Sequence, residues 1–241
     1  MTVEVSEALS RLAVRLGGAG ARLGPAQRLS GGASMETWAF EIDGPAGHEA
    51  LILRRRTAPY DPETARSVTL ATEAALIQAT GANGAPVPPV RHICDAADGL
   101  GEAYIMGRVG GETLGKRIVS DPRFDAVRGK LARQCGEVLV PIHATTPPPG
   151  LNLKTSDGLG ELDRYEEVYR ATEAQRPILD LAFQYLRKHL PEPAEPVLLH
   201  GDFRNGNIMF HPELGVAAVL DWELAHIGDP AEDMGWICTN S

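Results

Sequence analysis

Apolar positions recur at helical spacing over residues 8–16, up to Gly17-Gly18, and again over 65–80. In the second segment Val68, Leu70, Ala71, Ala74, Ala75 and Ile77 form one stripe that Gly81 is expected to end. Between these segments the period falls to two. Arg28-Leu29-Ser30-Gly31-Gly32-Ala33-Ser34 reads as a glycine turn opening into an alternating run at 37–42, Asp43-Gly44 as a hairpin signal, and 50–55 as the partner strand. A rigid break at 86–89 precedes a strand at 90–94, a turn at Asp98-Gly99, an apolar strand at 103–106 and a glycine hinge at 107–111. The pattern then turns helical, over 124–143 and 163–190. Pro147-Pro148-Pro149-Gly150 separates these segments, and Pro141 and Pro177 are placed to kink or interrupt them. From residue 197 the pattern changes again. A buried strand at 197–199 leads into a polar loop at 200–207, a short strand at 208–210, a turn at 212–215 and a strand at 216–220.

Composition narrows the partners. The chain has 241 residues, 43% of them hydrophobic, which is ample for a buried core in one or two domains. Lys and Arg number 23 against 32 Asp and Glu, a formal net charge of −9. That balance argues against a general nucleic-acid or anionic-membrane binder, so an anionic ligand has to be held by local cations or by a metal. No apolar run approaches the length of a membrane span and residues 1–10 lack the features of a signal peptide, so a cytoplasmic location is expected. Cys94, Cys135 and Cys238 lie far apart and fit neither a zinc knuckle nor a disulfide framework. They read as small apolar residues.

The polar loop carries the chemistry. Polar groups wedged between apolar strands must be hydrogen-bonded or bind something. In His200-Gly201-Asp202-Phe203-Arg204-Asn205-Gly206-Asn207 an amide follows a carboxylate by five residues, and the next apolar strand delivers a second carboxylate, Asp221. One Asp can take a proton from a hydroxyl while the Asn and the other Asp hold a divalent cation through oxygen. The ordered set is far more specific than any one member.

On these residues the chain resembles the aminoglycoside phosphotransferase family. His200, Gly201, Asp202 and Asn207 match its catalytic loop, Asp221-Trp222-Glu223 stands in place of its metal-binding motif, and Gly228-Asp229-Pro230 with Asp233 follows the usual continuation. The Leu-Ser-Gly-Gly-Ala-Ser opening and the Leu-Arg-Arg strand are similar to kinase-like domains fused to acyl-CoA dehydrogenases. The resemblance implies an α+β, bilobal protein-kinase-like fold. It divides the chain into a small antiparallel-sheet nucleotide lobe over 1–107 and a mostly helical lobe over 108–241. It also implies ATP and Mg²⁺ as cofactors, Asp202 as the base that deprotonates an acceptor hydroxyl, and Asn207 and Asp221 as metal ligands.

On the nucleotide side the resemblance assigns Ser30, Gly31, Gly32, Ala33 and Ser34 to the phosphates. Arg54 takes the place of the family's phosphate-pairing lysine, and Glu73 is its orienting partner. That substitution is a departure, because a guanidinium is longer and planar where an ammonium is a point charge. Either Arg54 is the phosphate residue of this branch, or the chain is a catalytically weak nucleotide-binding or scaffold module. Arg55 and Arg56 are expected to be solvated. Tyr104 to Val109 resembles the interlobe linker, with backbone on the adenine edge, Met106 on its face and Arg108 beside it. Trp222 and Trp236 are expected to pack, and His143 to make a structural hydrogen bond.

The acceptor is a small hydroxylated molecule whose identity the residues do not specify; the branch favours a hydroxylated acyl compound. Family members continue beyond Trp236-Ile237-Cys238 through further helices, so the helical lobe reads as truncated. Exposed apolar surface near Ile237, or pairing in a homodimer, is the expected consequence.

Overall fold

The structure is a computed structural model that describes residues 3–31, 35–62 and 65–239. Its amino-terminal half is built on a five-stranded antiparallel sheet of order β1-β2-β3-β5-β4, with β1 (Arg22–Gly31), β2 (Met35–Gly44), β3 (Gly47–Arg56), β4 (Val90–Ile93) and β5 (Ala103–Gly107). Alternation along these strands decides which side chains face which core. Leu51, Leu53, Ala103 and Ile105 pack on helix α1 (Val3–Gly17), which returns Val5, Ala8, Leu9, Leu12 and Ala13 from one apolar face. The even-numbered Arg54, Tyr104 and Met106 point the other way, and Arg54 and Tyr104 are register partners. A slip of one residue would replace Arg54 by Arg55 on that face.

Helix α2 (Leu70–Ala82) covers this second face. Thr69 caps its first turn by accepting the Thr72 N–H at 3.1 Å. The helix starts later than the apolar stripe suggests and runs through Gly81 to Ala82, while 65–69 is non-helical and ties elsewhere. β1 is a strand that the pattern did not announce, since Gly24 and Pro25 interrupt its alternation and the pairing with β2 shifts between Leu23 and Ala26.

The carboxy-terminal half holds α3 (Gly115–Ser120), α4 (Asp125–Arg128), α5 (Leu131–His143), α6 (Gly158–Ala171), α7 (Pro177–Lys188) and α8 (Ala231–Cys238). The single helix expected over 124–143 is divided at Gly129-Lys130, yet Pro141 leaves α5 unbroken, and its carbonyl accepts from the side chains of Asn83 (2.8 Å) and Thr145 (2.7 Å). The segment expected over 163–190 begins earlier, at the Asp157 cap, and is split where Pro177 takes the first position of α7. Ile237 itself is half-buried against the main core, but Met234, one turn earlier on α8, is 59% exposed, so apolar surface does lie near Ile237. More gathers on α7, where Ile178, Leu181 and Tyr185 are all at least 60% exposed and no described residue is buried. No described helix is long and apolar enough to cross a membrane.

Candidate active site

Four short strands build the site. β7 (Ile208–His211) pairs with β8 (Gly215–Val219), and β6 (Val197–Leu199) pairs with β9 (His226–Gly228). The 200–207 loop joins β6 to β7 and the 220–225 loop joins β8 to β9, so the two pairings stack the loops together. The Leu220 N–H donates to Asn207 O at 2.8 Å, and His200 Nε2 lies 2.9 Å from Leu220 O.

The His200 ring is fully buried, edge-on to Trp222 with ring centres 4.9 Å apart. Burial lowers its pKa and keeps it neutral. Its contacts assign the tautomer. Nε2–H donates to Leu220 O, and Nδ1 accepts the Asp202 N–H at 3.2 Å. Gly201 follows at φ +80°, and a Cβ there would lie 2.3 Å from Leu224 O, so only glycine fits. Beneath the loop, buried Asp233 accepts the N–H groups of His200 and Gly201, each at 2.9 Å, and lies 3.0 Å from His143 Nε2. Burial works against the charge on Asp233, but the His143 ring and these N–H groups outweigh it and hold the carboxyl below its ordinary pKa.

At the surface of the loop, Asn207 Nδ2 donates to Asp202 Oδ2 at 2.6 Å and Arg204 Nε donates to Asp202 Oδ1 at 2.8 Å. With its nitrogen on Asp202, the Asn207 amide turns its oxygen the other way. Asp221 stands at the next loop with φ +66°, a left-handed conformation uncommon outside glycine. Asn207 and Asp221 line one cleft with Gly206, Arg54, Tyr104, Met106 and Thr37.

Across the cleft Arg54 meets three carboxylates. Its Nη2 lies 2.5 Å from Asp221 Oδ1 and 3.0 Å from Glu223 Oε2, and its Nε lies 3.2 Å from Glu73 Oε2. The last contact is a pairing of charges without a well-aimed hydrogen bond, so both atoms remain unsatisfied as donor and acceptor. Glu73 Oε1 accepts from the Tyr104 hydroxyl at 3.1 Å and the Trp222 N–H at 3.2 Å. Burial raises the Glu73 pKa, with Arg54 pulling it back. Asn207 and Asp221 offer oxygen donors beside a cleft in which Asp221 already attracts a cationic group, a donor set that suits Mg²⁺.

The structure thus brings together Asp202, Asn207, Asp221, Arg54, Glu73 and Met106. Ser30 and Gly31 end β1 opposite Thr37 and Glu36, while Gly32, Ala33 and Ser34 lie outside the described residues. Arg108 is exposed and does not line the cleft; its N–H donates to Ala50 O and that of Gly107 to Pro89 O, both at 2.9 Å. Those two linker amides are therefore already committed. Arg56, expected to be solvated, instead bonds Glu102 at 2.9 Å and lies over the Tyr60 ring, and Arg55 is half-buried with its Nε unpaired. Trp222 is buried as expected and Trp236 half-buried. Tyr104, Arg204 and Glu223 were not singled out from the sequence. Glu223 had a signal, as the third residue of Asp221-Trp222-Glu223; Tyr104 was read only as the start of the linker, because its partner in register is 50 positions away.

The model of the phosphotransferase enzyme family, APH, matches residues 25–241. Among curated proteins, mouse acyl-CoA dehydrogenase family member 10 is 30% identical over 202 residues, covering 78% of this chain and 18% of that protein. Mouse acyl-CoA dehydrogenase family member 11 is 31% identical over 197 residues, covering 78% and 25%. The chain spans a quarter or less of the length of these two relatives. Among solved structures, a protein of Ralstonia eutropha assigned to the aminoglycoside phosphotransferases superposes with TM-score 0.68 at 25% identity, covering 96% of this chain and 68% of that one. The macrolide 2'-phosphotransferase of Brachybacterium faecium superposes with TM-score 0.67 at 20% identity, covering 95% and 75%. The kinase-like α+β fold is shared with both, and the chain is shorter than either.

Proposed function

We propose, on the premise that this chain belongs to the phosphotransferase enzyme family, that it transfers the γ-phosphoryl group of ATP to a hydroxyl of a small molecule. The observation that carries this reading is the direct contact of Asn207 with Asp202, with Asp221 on the adjoining loop of the same cleft. In phosphoryl transfer, positioning and charge neutralisation do most of the work. Asp202, oriented by Arg204 and Asn207 on its two oxygens, takes the proton of the acceptor hydroxyl as that oxygen forms its bond to phosphorus and the bond to the ADP oxygen breaks. Asn207 Oδ1 and the Asp221 carboxylate would hold Mg²⁺, which when bound neutralises charge on the phosphates. Arg54 would pair the phosphates after leaving Asp221 and Glu223. His200, Gly201 and Asp233 hold the loop in shape.

A second reading is favoured by one observation: Arg54 occupies Asp221, the carboxylate that the metal would need. A site locked in that way describes a weak nucleotide-binding module. For the enzyme, the relatives' names tilt the acceptor toward a hydroxylated acyl compound, a reading that rests on likeness over part of their length. An ATP turnover screen against hydroxylated acyl compounds and aminoglycosides separates the two readings. The enzyme reading expects Asp202→Ala to lower turnover by ~10²–10⁴ with nucleotide affinity nearly unchanged. Nucleotide binding without turnover on any acceptor supports the module. Full turnover in the Asp202→Ala protein removes it as the base.

A further inference from the structure

Outside the cleft lining, on the edge strand β4 and the turn after it, three metal-ligating side chains converge. His92 in β4 and Cys94 just past its end, where the Cys94 N–H still donates to Ala103 O at 2.9 Å, sit two positions apart and so on one side of the extended chain. A single 3₁₀ turn at Ala96–Asp98, capped by Asp95, brings the Asp98 carboxylate back toward them. One ligand atom from each of the three residues lies within 4.8 Å of the others. Cys94 is half-buried, Asp98 is almost fully buried, and His92 shows a sixth of its side chain.

The hydrogen bonding within this cluster is contradictory. His92 Nε2 lies 2.8 Å from Asp98 Oδ2 and also 2.8 Å from Arg15 Nη2, while Arg15 Nη1 lies 2.8 Å from Asp98 Oδ1. A ring nitrogen is either a donor or an acceptor. If Nε2 carries a proton it can donate to Asp98, but the proton then faces the Arg15 N–H. If it does not, it can accept from Arg15, but its lone pair then faces a carboxylate oxygen. No protonation state satisfies both contacts. A cation placed between the imidazole lone pair, the carboxylate and the sulfur satisfies all three while Asp98 Oδ2 keeps the Asp95 N–H at 2.9 Å, and Arg15, 46% exposed, has solvent to turn into once its ion pair with Asp98 is replaced.

We propose that His92, Cys94 and Asp98 form a binding site for a thiophilic divalent cation of the zinc class, with Arg15 filling the cation's place in its absence. Nitrogen, sulfur and oxygen donors in a set of three match such an ion and leave a fourth position for water. Magnesium, which takes oxygen donors, is not expected here. Burial, with Asp98 beside it, pushes the Cys94 thiol up to about 12, so the free thiol is a poor nucleophile and the metal must displace its proton. Because the ligands come from β4 and the turn that follows it, and Arg15 comes from α1, occupancy would rigidify the sheet edge and loosen the ion pair holding α1.

The test is titration of the whole chain with Co²⁺, read by absorption, followed by competition with Zn²⁺. The proposal expects one equivalent of Co²⁺ to give a thiolate-to-cobalt charge-transfer band with tetrahedral visible bands, and Zn²⁺ to abolish both. Cys94→Ser should remove the charge-transfer band. Asp98→Asn should weaken binding at least tenfold, and Arg15→Ala should tighten it. Cys238→Ser and Asp221→Ala should leave the band intact, which sets aside the exposed cysteine and the cleft. Absence of a charge-transfer band in the unmodified protein overturns the proposal whether or not the variants fold. So does a band that survives Cys94→Ser.

Discussion

Arg54 Nη2 lies 2.5 Å from Asp221 Oδ1, so a side chain of β3 and one from the loop after β8, 167 positions apart, share a single charge contact across the cleft. The same guanidinium faces Glu73, which is fully buried. Removing one partner of a buried pair leaves an uncompensated charge, whereas replacing both leaves none. Arg54→Met is therefore expected to cost about 3–5 kcal/mol, and Arg54→Met with Glu73→Gln to recover most of that loss. Urea denaturation of both single variants and the double variant checks this. Additive losses would contradict it.

Glu223 Oε2 lies 3.0 Å from Arg54 Nη2, so on the proposed reading it would compete with phosphate for that guanidinium. Glu223→Gln is expected to tighten ATP binding several-fold in the presence of EDTA, by releasing the guanidinium from one of its anionic partners. Calorimetry without metal measures it, and unchanged or weakened binding speaks against the competition.

Gly201 combines φ +80° with a backbone oxygen where a Cβ would be. Gly201→Ala is expected to destabilise the chain by about 2 kcal/mol or more and to abolish turnover, since the loop must move to admit the methyl group. Gly136→Ala, with nothing near its Cβ position in α5, should be neutral or slightly stabilising. Equal melting temperatures for the two variants would refute the assignment.

Asp233 sets a pH dependence. Folding lowers its pKa below the ordinary 3.8, so its contribution to stability is fully present above that value and is lost as pH falls through the lower folded value. Asp233→Asn should therefore cost about 1–3 kcal/mol near neutrality, where one of the His200 and Gly201 N–H groups loses its acceptor. The gap from the unmodified protein should narrow below pH 3.8. Denaturation curves at several pH values measure it; a gap that widens in acid is the contrary result.

Much of the site was legible because its specificity is local. Asp202 and Asn207 are five positions apart in one loop, and Asp221 ends a strand whose apolar run is plain, so each could be placed without knowing the rest of the fold. The Arg54–Glu73 pairing was also legible from family likeness, and strand alternation puts Arg54 rather than Arg55 in the cleft. What escaped depends on long-range register. Tyr104 reaches Glu73 only because β5 pairs with β3, and Arg56 leaves solvent only because Glu102 lies near the start of β5. β1 escaped because Gly24-Pro25 breaks its period, and the division of 124–143 because Gly129 and Lys130 do not interrupt an apolar pattern strongly enough to show.

The proposed metal role of Asp221 is decided by the affinity of ATP, measured by calorimetry with and without Mg²⁺ in the unmodified protein and in Asp221→Ala. Mg²⁺ is expected to strengthen ATP binding at least tenfold in the unmodified protein and to have little effect in Asp221→Ala. An equal Mg²⁺ effect in both proteins, or no ATP binding in the unmodified one, would contradict it.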